Sequence, residues 1–325
     1  MIVYLICYAA SWIFARFGLY YLSGAALFLA AGYLYVYDYR RSGNLIHLRG
    51  LFSCFWVGGQ GAACLKLSKL QTDWALQTWI CFFLALVGFW ITFEVLDRLM
   101  GGNERFTMNR YRQRSTVRPL FFCIVGLTVI SAAAFVTEAA VLGFIPVLVR
   151  GVPHAYSAFH MTGLHYVTVS CVLIPAMTVL YFEQGGSRSG RKNGLIVLCV
   201  LVSVAIPILC VSRFQLVFAV ILAVFTFCAS QKNVSPWLFV AAVVALIPCY
   251  VLLTAARSHD VTYLNGIFEM KNSRMPIFVS QPYIYIANNY VNFDCLVKAL
   301  PAHTWGIRML FPVWALTGLK FLYPY

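Results

Sequence analysis

Apolar residues run through the chain in long unbroken stretches, and polar residues are gathered into the connections between them. At about 20 apolar residues per crossing of a bilayer core about 30 Å thick, the pattern predicts nine membrane-spanning helices, at 1–15, 17–37, 50–66, 75–95, 119–143, 163–182, 194–211, 214–230 and 236–255. A weaker tenth falls at 304–320. Pro175, Pro207 and Pro248 lie inside these stretches, where a bilayer helix retains a proline by kinking. The expected fold is all-α: a polytopic transmembrane bundle of about nine to ten spans, forming a single integral membrane domain over 1–325. The first stretch has neither a basic leading region nor a small-x-small site, so it reads as a retained helix rather than a cleaved signal.

Lysine and arginine in short connections are retained on the cytoplasmic side. Arg40, Arg41 and Arg49 follow the second stretch, and Arg98, Arg105, Arg110, Arg112, Arg114 and Arg118 the fourth; Arg188, Arg191 and Lys192 follow the sixth, and Lys232 the eighth. These alternate connections agree, which places the amino terminus in the cytoplasm. The opposite face then carries Arg150, Arg213, Arg257, Arg274 and Arg308, where cations are disfavoured, and five of the six histidines, His154, His160, His165, His259 and His303. It also carries two long connections, the outer loops at about 144–162 and 256–303. Connections of this length are mostly functional or disordered. The latter half of the second, QPYIYIANNYVNFDCLVKAL, is too rich in Tyr, Ile and Val for disorder and reads as an amphipathic helix lying on the membrane or capping a cavity.

Composition narrows the classes further. The chain is 62% hydrophobic and 10% charged, against roughly a quarter charged in soluble domains, and its mean hydropathy is +0.80. The net charge of +14 is then topology-setting charge, and nucleic acid is excluded as a partner. The 11 cysteines form no CxxC pair and sit mostly within apolar runs, as small hydrophobes. No Walker, Rossmann, EF-hand or HExxH pattern is present, so no cofactor and no metal is expected.

The outer arginines point to an anion, because the guanidinium fork matches phosphate oxygens in pairs and is costly at membrane depth without a partner. Arg213, in VSRFQ between two apolar runs, is the sharpest case; the alternative is an arginine that snorkels to headgroups. Histidine suits proton transfer near neutral pH, although each outer histidine also reads as a hydrogen-bonded interfacial side chain. Glu138, inside the fifth stretch, is either part of an ion pathway or the partner of an outer arginine. Tyr283, Tyr285, Tyr290 and Phe293 with Asn288 and Asn289 offer sugar-binding faces, or else a helix face packed on the bundle.

LFSCFWVGGQGAACLKLSKLQTDW, GFIPVLVRGVPHAYSAFHMTGLHYV, VSRFQL, YIYIANNYVNFDCL and TWGIR, in that order, resemble the bacterial oligosaccharide repeat-unit polymerases, the Wzy-type O-antigen or capsular polysaccharide polymerases. The resemblance covers most of the chain. It implies a metal-independent membrane glycosyltransferase of the bacterial cytoplasmic membrane, with undecaprenyl-pyrophosphate-linked oligosaccharides as substrates and membrane lipid, flippase and chain-length regulator proteins as partners. Carried onto this sequence, it implies Arg150, Arg213, Arg257 and Arg274 as pyrophosphate-binding residues, His165 or His154 as catalytic base, and Tyr283, Tyr285, Asn288, Asn289 and Asp294 at the sugar site. Such polymerases usually carry further hydrophobic segments near the carboxyl end, whereas this chain ends at LKFLYPY, so it reads as truncated there. Rival readings are a lipid-linked oligosaccharide flippase or other transporter, another lipid-linked-sugar transferase, and a non-catalytic assembly subunit.

Overall fold

The computed structural model describes residues 1–99, 117–149, 155–231, 234–256, 261–300, 310–318 and 321. Among them the chain is helical throughout and forms no strand. The helices are α1 (Ile2–Arg16), α2 (Tyr20–Ser42), α3 (Leu48–Cys64), α4 (Leu76–Leu99), α5 (Val117–Leu142), α6 (Ala155–Ala158), α7 (Leu164–Val169), α8 (Ile174–Glu183), α9 (Gly190–Leu209), α10 (Arg213–Ser230), α11 (Trp237–Ala256), α12 (Val261–Ile267), α13 (Ile277–Ala299) and α14 (Phe311–Leu316). A 3-10 turn over Ser170–Leu173 joins α7 to α8. Among the described residues, five segments are long and apolar enough to cross a bilayer: α4, α5, the α7–α8 unit Leu164–Glu183, α9 and α10. At 1.5 Å per residue, the 24 residues of α4 are about 36 Å long. α1 and the middle of α11, Val240–Leu253, are apolar but shorter. The protein is a multi-pass helical membrane protein.

Two apolar cores organise the bundle. Tyr4, Tyr8, Leu27, Leu34, Val57, Trp79 and Leu86 join α1 to α4. Ile124, Phe135, Phe159, Cys171, Ile174, Tyr181 and Ile196 join α5 to α7, α8 and α9. All eleven cysteines are free thiols, five of them buried.

α2 and α3 carry too many polar residues to rank with the most apolar helices, and small residues hold them together instead. A methyl group placed on Gly24 would lie 2.9 Å from the Gly61 carbonyl oxygen, and one on Gly61 would lie 3.1 Å from that of Gly24. Such backbone approach is how membrane helices associate when burial of apolar surface gives no advantage over lipid. Arg49 also departs from the sequence expectation. Hydropathy assigns it to a connection, whereas it is the second residue of α3 and only 3% exposed. Its Nη2 lies 2.5 Å from Asp38 Oδ1 and its Nη1 3.0 Å from Glu94 Oε2. Its guanidinium stands 4.5 Å from the Trp90 ring centroid. A buried cation of this kind is tolerable only when paired, and Asp38 supplies the pair from the last turns of α2.

The long connection after α11 contains α13, the helix expected there, lying across α3 and α4. Tyr283 Oη donates to Gln71 Oε1 at 2.6 Å and accepts from the Leu67 amide at 2.8 Å. Ser68 and Met270 form an isolated antiparallel bridge, with Lys69 N–H donating to Glu269 O at 2.9 Å. Asp294 accepts from the Ala75 amide at 2.9 Å and from Thr78 Oγ1 at 2.6 Å, satisfying orphan donors at the start of α4. The connection 65–75, the α9–α10 turn and the segment 268–281 thus meet at one end of the bundle. Glu183 and Gln231, bonded at 2.5 Å, lie at the ends of α8 and α10 away from that turn.

Candidate functional site

Glu138 lies one turn before the end of α5 and is 0% exposed. A carboxylate so placed needs donors, and the segment 161–168 brings them. Thr168 Oγ1 donates to Oε2 at 2.7 Å and the Met161 amide to Oε1 at 3.2 Å. His165 Nδ1 lies 3.2 Å from Oε1 and 3.3 Å from Oε2. Gly163, at φ +86°, turns the chain into α7 just ahead of His165. The three-residue spacing then sets His165 and Thr168 on one face of that helix. An ionised carboxylate only accepts, so a neutral His165 paired with it this way would hold its proton on Nδ1 and offer Nε2 as an acceptor. The His165 side chain is 20% exposed, and the exposed His160 ring sits 5.0 Å away, edge-on. The group is a buried acid orienting a partly exposed histidine. Sequence reading named both residues and left the partner of Glu138 open between an arginine and none; the structure supplies His165.

Arg213 opens α10 after Val211, whose φ of +52° makes the tight reversal expected of VSRFQ. Its side chain does not reach out to solvent but is buried. Nη1 donates to Gln281 Oε1 at 2.5 Å, and the guanidinium lies 4.9 Å from the Tyr250 ring. Tyr250 Oη donates to the same oxygen at 2.5 Å. Gln281 therefore ties α10 and α11 to α13. Cys210, three residues before Arg213, belongs to the same apolar cluster as Phe135, Phe159 and Cys171. This places the turn that carries Arg213 on the cluster packed around Glu138.

Arg274 is exposed, on the turn leading into α13. Of the proposed sugar-binding set, Tyr283 and Asp294 are buried, and their oxygens are engaged by the connection 65–75 and the start of α4. Tyr285 is 64% exposed, Asn289 is exposed and donates to Tyr285 O at 2.6 Å, and Asn288 is half-buried. Tyr290 Oη donates to Trp56 O at 3.1 Å against Gly59, which leaves room for the ring. His154, Arg150 and Arg257 lie outside the described residues. Among the described residues no three His, Cys, Asp or Glu side chains gather into a metal-binding group.

The sequence reading passed over Thr168, although its spacing of three from His165 was a signal. It also passed over the lysines of LKLSKLQTDW, two cations on the face where only arginines were counted. In comparison with known proteins, no family model, no curated protein and no solved structure matches the chain.

Proposed function

We propose that the protein is a membrane glycosyltransferase that polymerises undecaprenyl-pyrophosphate-linked oligosaccharide repeat units at the end of the bundle where α5 and α7 meet, on the outer face of a bacterial cytoplasmic membrane. The observation that carries this reading is the Glu138–His165 pair. In the proposed step Nε2 takes the proton of an acceptor sugar hydroxyl as that oxygen attacks C1 of the donor sugar. The bond from C1 to the pyrophosphate oxygen breaks, and the lipid pyrophosphate leaves with the electron pair. Glu138 stabilises the imidazolium so formed. Arg213 and Arg274, with Arg150 and Arg257, supply positive charge for the leaving group. Tyr285, Asn288 and Asn289 offer rings and amides to the sugars.

The second reading, a lipid-linked oligosaccharide flippase or other transporter, is favoured by the Arg49–Asp38 ion pair buried between α2 and α3. The two separate in the native host with the gene deleted and complemented by wild type, His165→Ala or Arg213→Ala. Single lipid-linked units accumulating in the outer leaflet and rescued only by wild type support the polymerase. Accumulation confined to the inner leaflet favours the flippase, and an unchanged profile rejects both.

A further inference from the structure

We propose that a second anion site, built around Lys66 where α1–α2 meets α3–α4, binds a phosphate carried on a membrane-anchored headgroup. The small cavity, about 80 Å³, is lined by Arg16, Tyr20, Lys66, Asp73, Trp74 and Trp79 among others. Lys66 follows the last residues of α3 in a left-handed conformation, φ +47°. A non-glycine residue held there is strained, and such strain persists where neighbours enforce it. The enforcement is on either side: Lys66 N–H donates to Ala63 O at 3.3 Å, and Tyr283 of α13 fixes the next amide. The result is a lysine that is 8% exposed in a cavity, its Nζ 4.0 Å from the Tyr20 ring centroid and paired with Asp73.

The charges around it do not balance. Lys66 is joined by Arg16 in the cavity wall, by Lys271, whose Nζ is 5.9 Å from the same Tyr20 ring, and by Lys298, which donates to Asp73 O at 2.8 Å. Against these four cations stand Asp73 and Asp294, the latter paired with Lys298 at 2.6 Å. Neither Arg16 nor Lys271 pairs with a carboxylate among the described residues. Burial alone would raise the Asp73 carboxyl, but Lys66, Tyr20 and Lys298 hold it below the usual carboxylate range. The Asp73 side chain is 70% exposed, a counter-ion that an incoming phosphate can replace. A transferase joining two lipid-linked units must hold two lipid phosphates at once, and the Lys66 cavity lies in the first helix group while Arg213 lies in the second. Naming the acceptor's phosphate as the occupant rests on the polymerase reading; the anion site does not.

The test uses the full-length protein in phosphatidylcholine nanodiscs, titrated with farnesyl pyrophosphate, with inorganic pyrophosphate, or with phosphatidylglycerol added to the disc. The expected result is that Lys66→Gln and Arg16→Gln each weaken binding about tenfold, that Asp73→Asn tightens it, and that His165→Ala leaves it unchanged. Preference for farnesyl pyrophosphate assigns an isoprenyl lipid, equal binding of inorganic pyrophosphate a soluble phosphate, and displacement by phosphatidylglycerol a bilayer lipid; the first supports the proposal whole, and the other two overturn the acceptor assignment. Identical affinities for all probes across wild type and the three charge variants overturn the site. If Lys66→Gln fails to fold, Arg16→Gln and Asp73→Asn, at exposed side chains, decide the matter alone. Lys66-dependent binding in a protein whose deletion leaves the lipid-linked profile unchanged would reject the polymerase reading and keep the site.

Discussion

Glu138 Oε1 and His165 Nδ1 lie 3.2 Å apart, the first on α5 and the second on α7, 27 residues further along the chain. Removing the imidazole is expected to lower polymer assembly by about 10²- to 10⁴-fold, the usual contribution of a positioned general base. Glu138→Gln keeps a hydrogen-bonding side chain but loses the charge that stabilises the imidazolium, so assembly should fall at unchanged protein level. Wild-type assembly by His165→Ala would remove the histidine from the mechanism.

Arg213→Lys tests the guanidinium itself. Lysine keeps the charge and loses the planar fork, so its contacts with Gln281 and Tyr250 cannot be reproduced. Lower assembly, together with reduced thermal stability in detergent, is the expected pair of outcomes. Gln281→Ala should cost about 1–3 kcal/mol, because it removes the oxygen that accepts from both Arg213 and Tyr250. An unchanged unfolding temperature for that variant would show that α13 is not fastened there.

Asp38→Ala leaves the Arg49 guanidinium buried beside Glu94 alone, and breaking such a pair typically costs about 3–5 kcal/mol. The double variant Asp38→Ala, Arg49→Met should recover part of that loss, since no unpaired charge then remains buried. Thermal unfolding of Asp38→Ala, Arg49→Met and the double variant measures the coupling. Simple addition of the two single effects would mean that the pair contributes nothing as a pair.

Asp73 gives a pH dependence with a definite sign. Its folded carboxyl is held below the usual range, so the stabilisation is present above the unfolded value of about 3.9. It is lost as pH falls through the lower folded value. Wild type should therefore lose more stability than Asp73→Asn between about pH 4 and lower pH. Parallel curves for the two proteins would show that the Lys66–Asp73 contact carries no stabilisation.

The helices were largely legible in the sequence, because bilayer thickness fixes a length that hydropathy reads directly: the stretch 119–143 became α5 over Val117–Leu142, and 214–230 became α10 over Arg213–Ser230. Hydropathy fails where a charge is buried by a partner elsewhere in the chain. Arg49 looks like a loop residue until Asp38 is placed beside it, and Glu138 looks solitary until the 161–168 segment folds back. Likewise Tyr283 and Asp294 have the chemistry of a sugar site, yet the register of α13 on α3 and α4 commits their oxygens to the backbone of the connection 65–75 and to Thr78. Which polar residues a membrane protein uses to hold itself together is a tertiary property, and alternation of apolar and polar positions does not encode it.

The contact between Asp294 and the start of α4 spans 219 residues. At a synthesis rate of about 5–20 residues per second, about 10–45 s separate the emergence of the Ala75 amide from that of the carboxylate that accepts from it. During that interval the loop between α3 and α4 has no α13 to bond to. The packing of the early half is therefore completed by residues made last, and a chain that stops before α13 lacks the carboxylate that accepts from the Ala75 amide and the Thr78 hydroxyl.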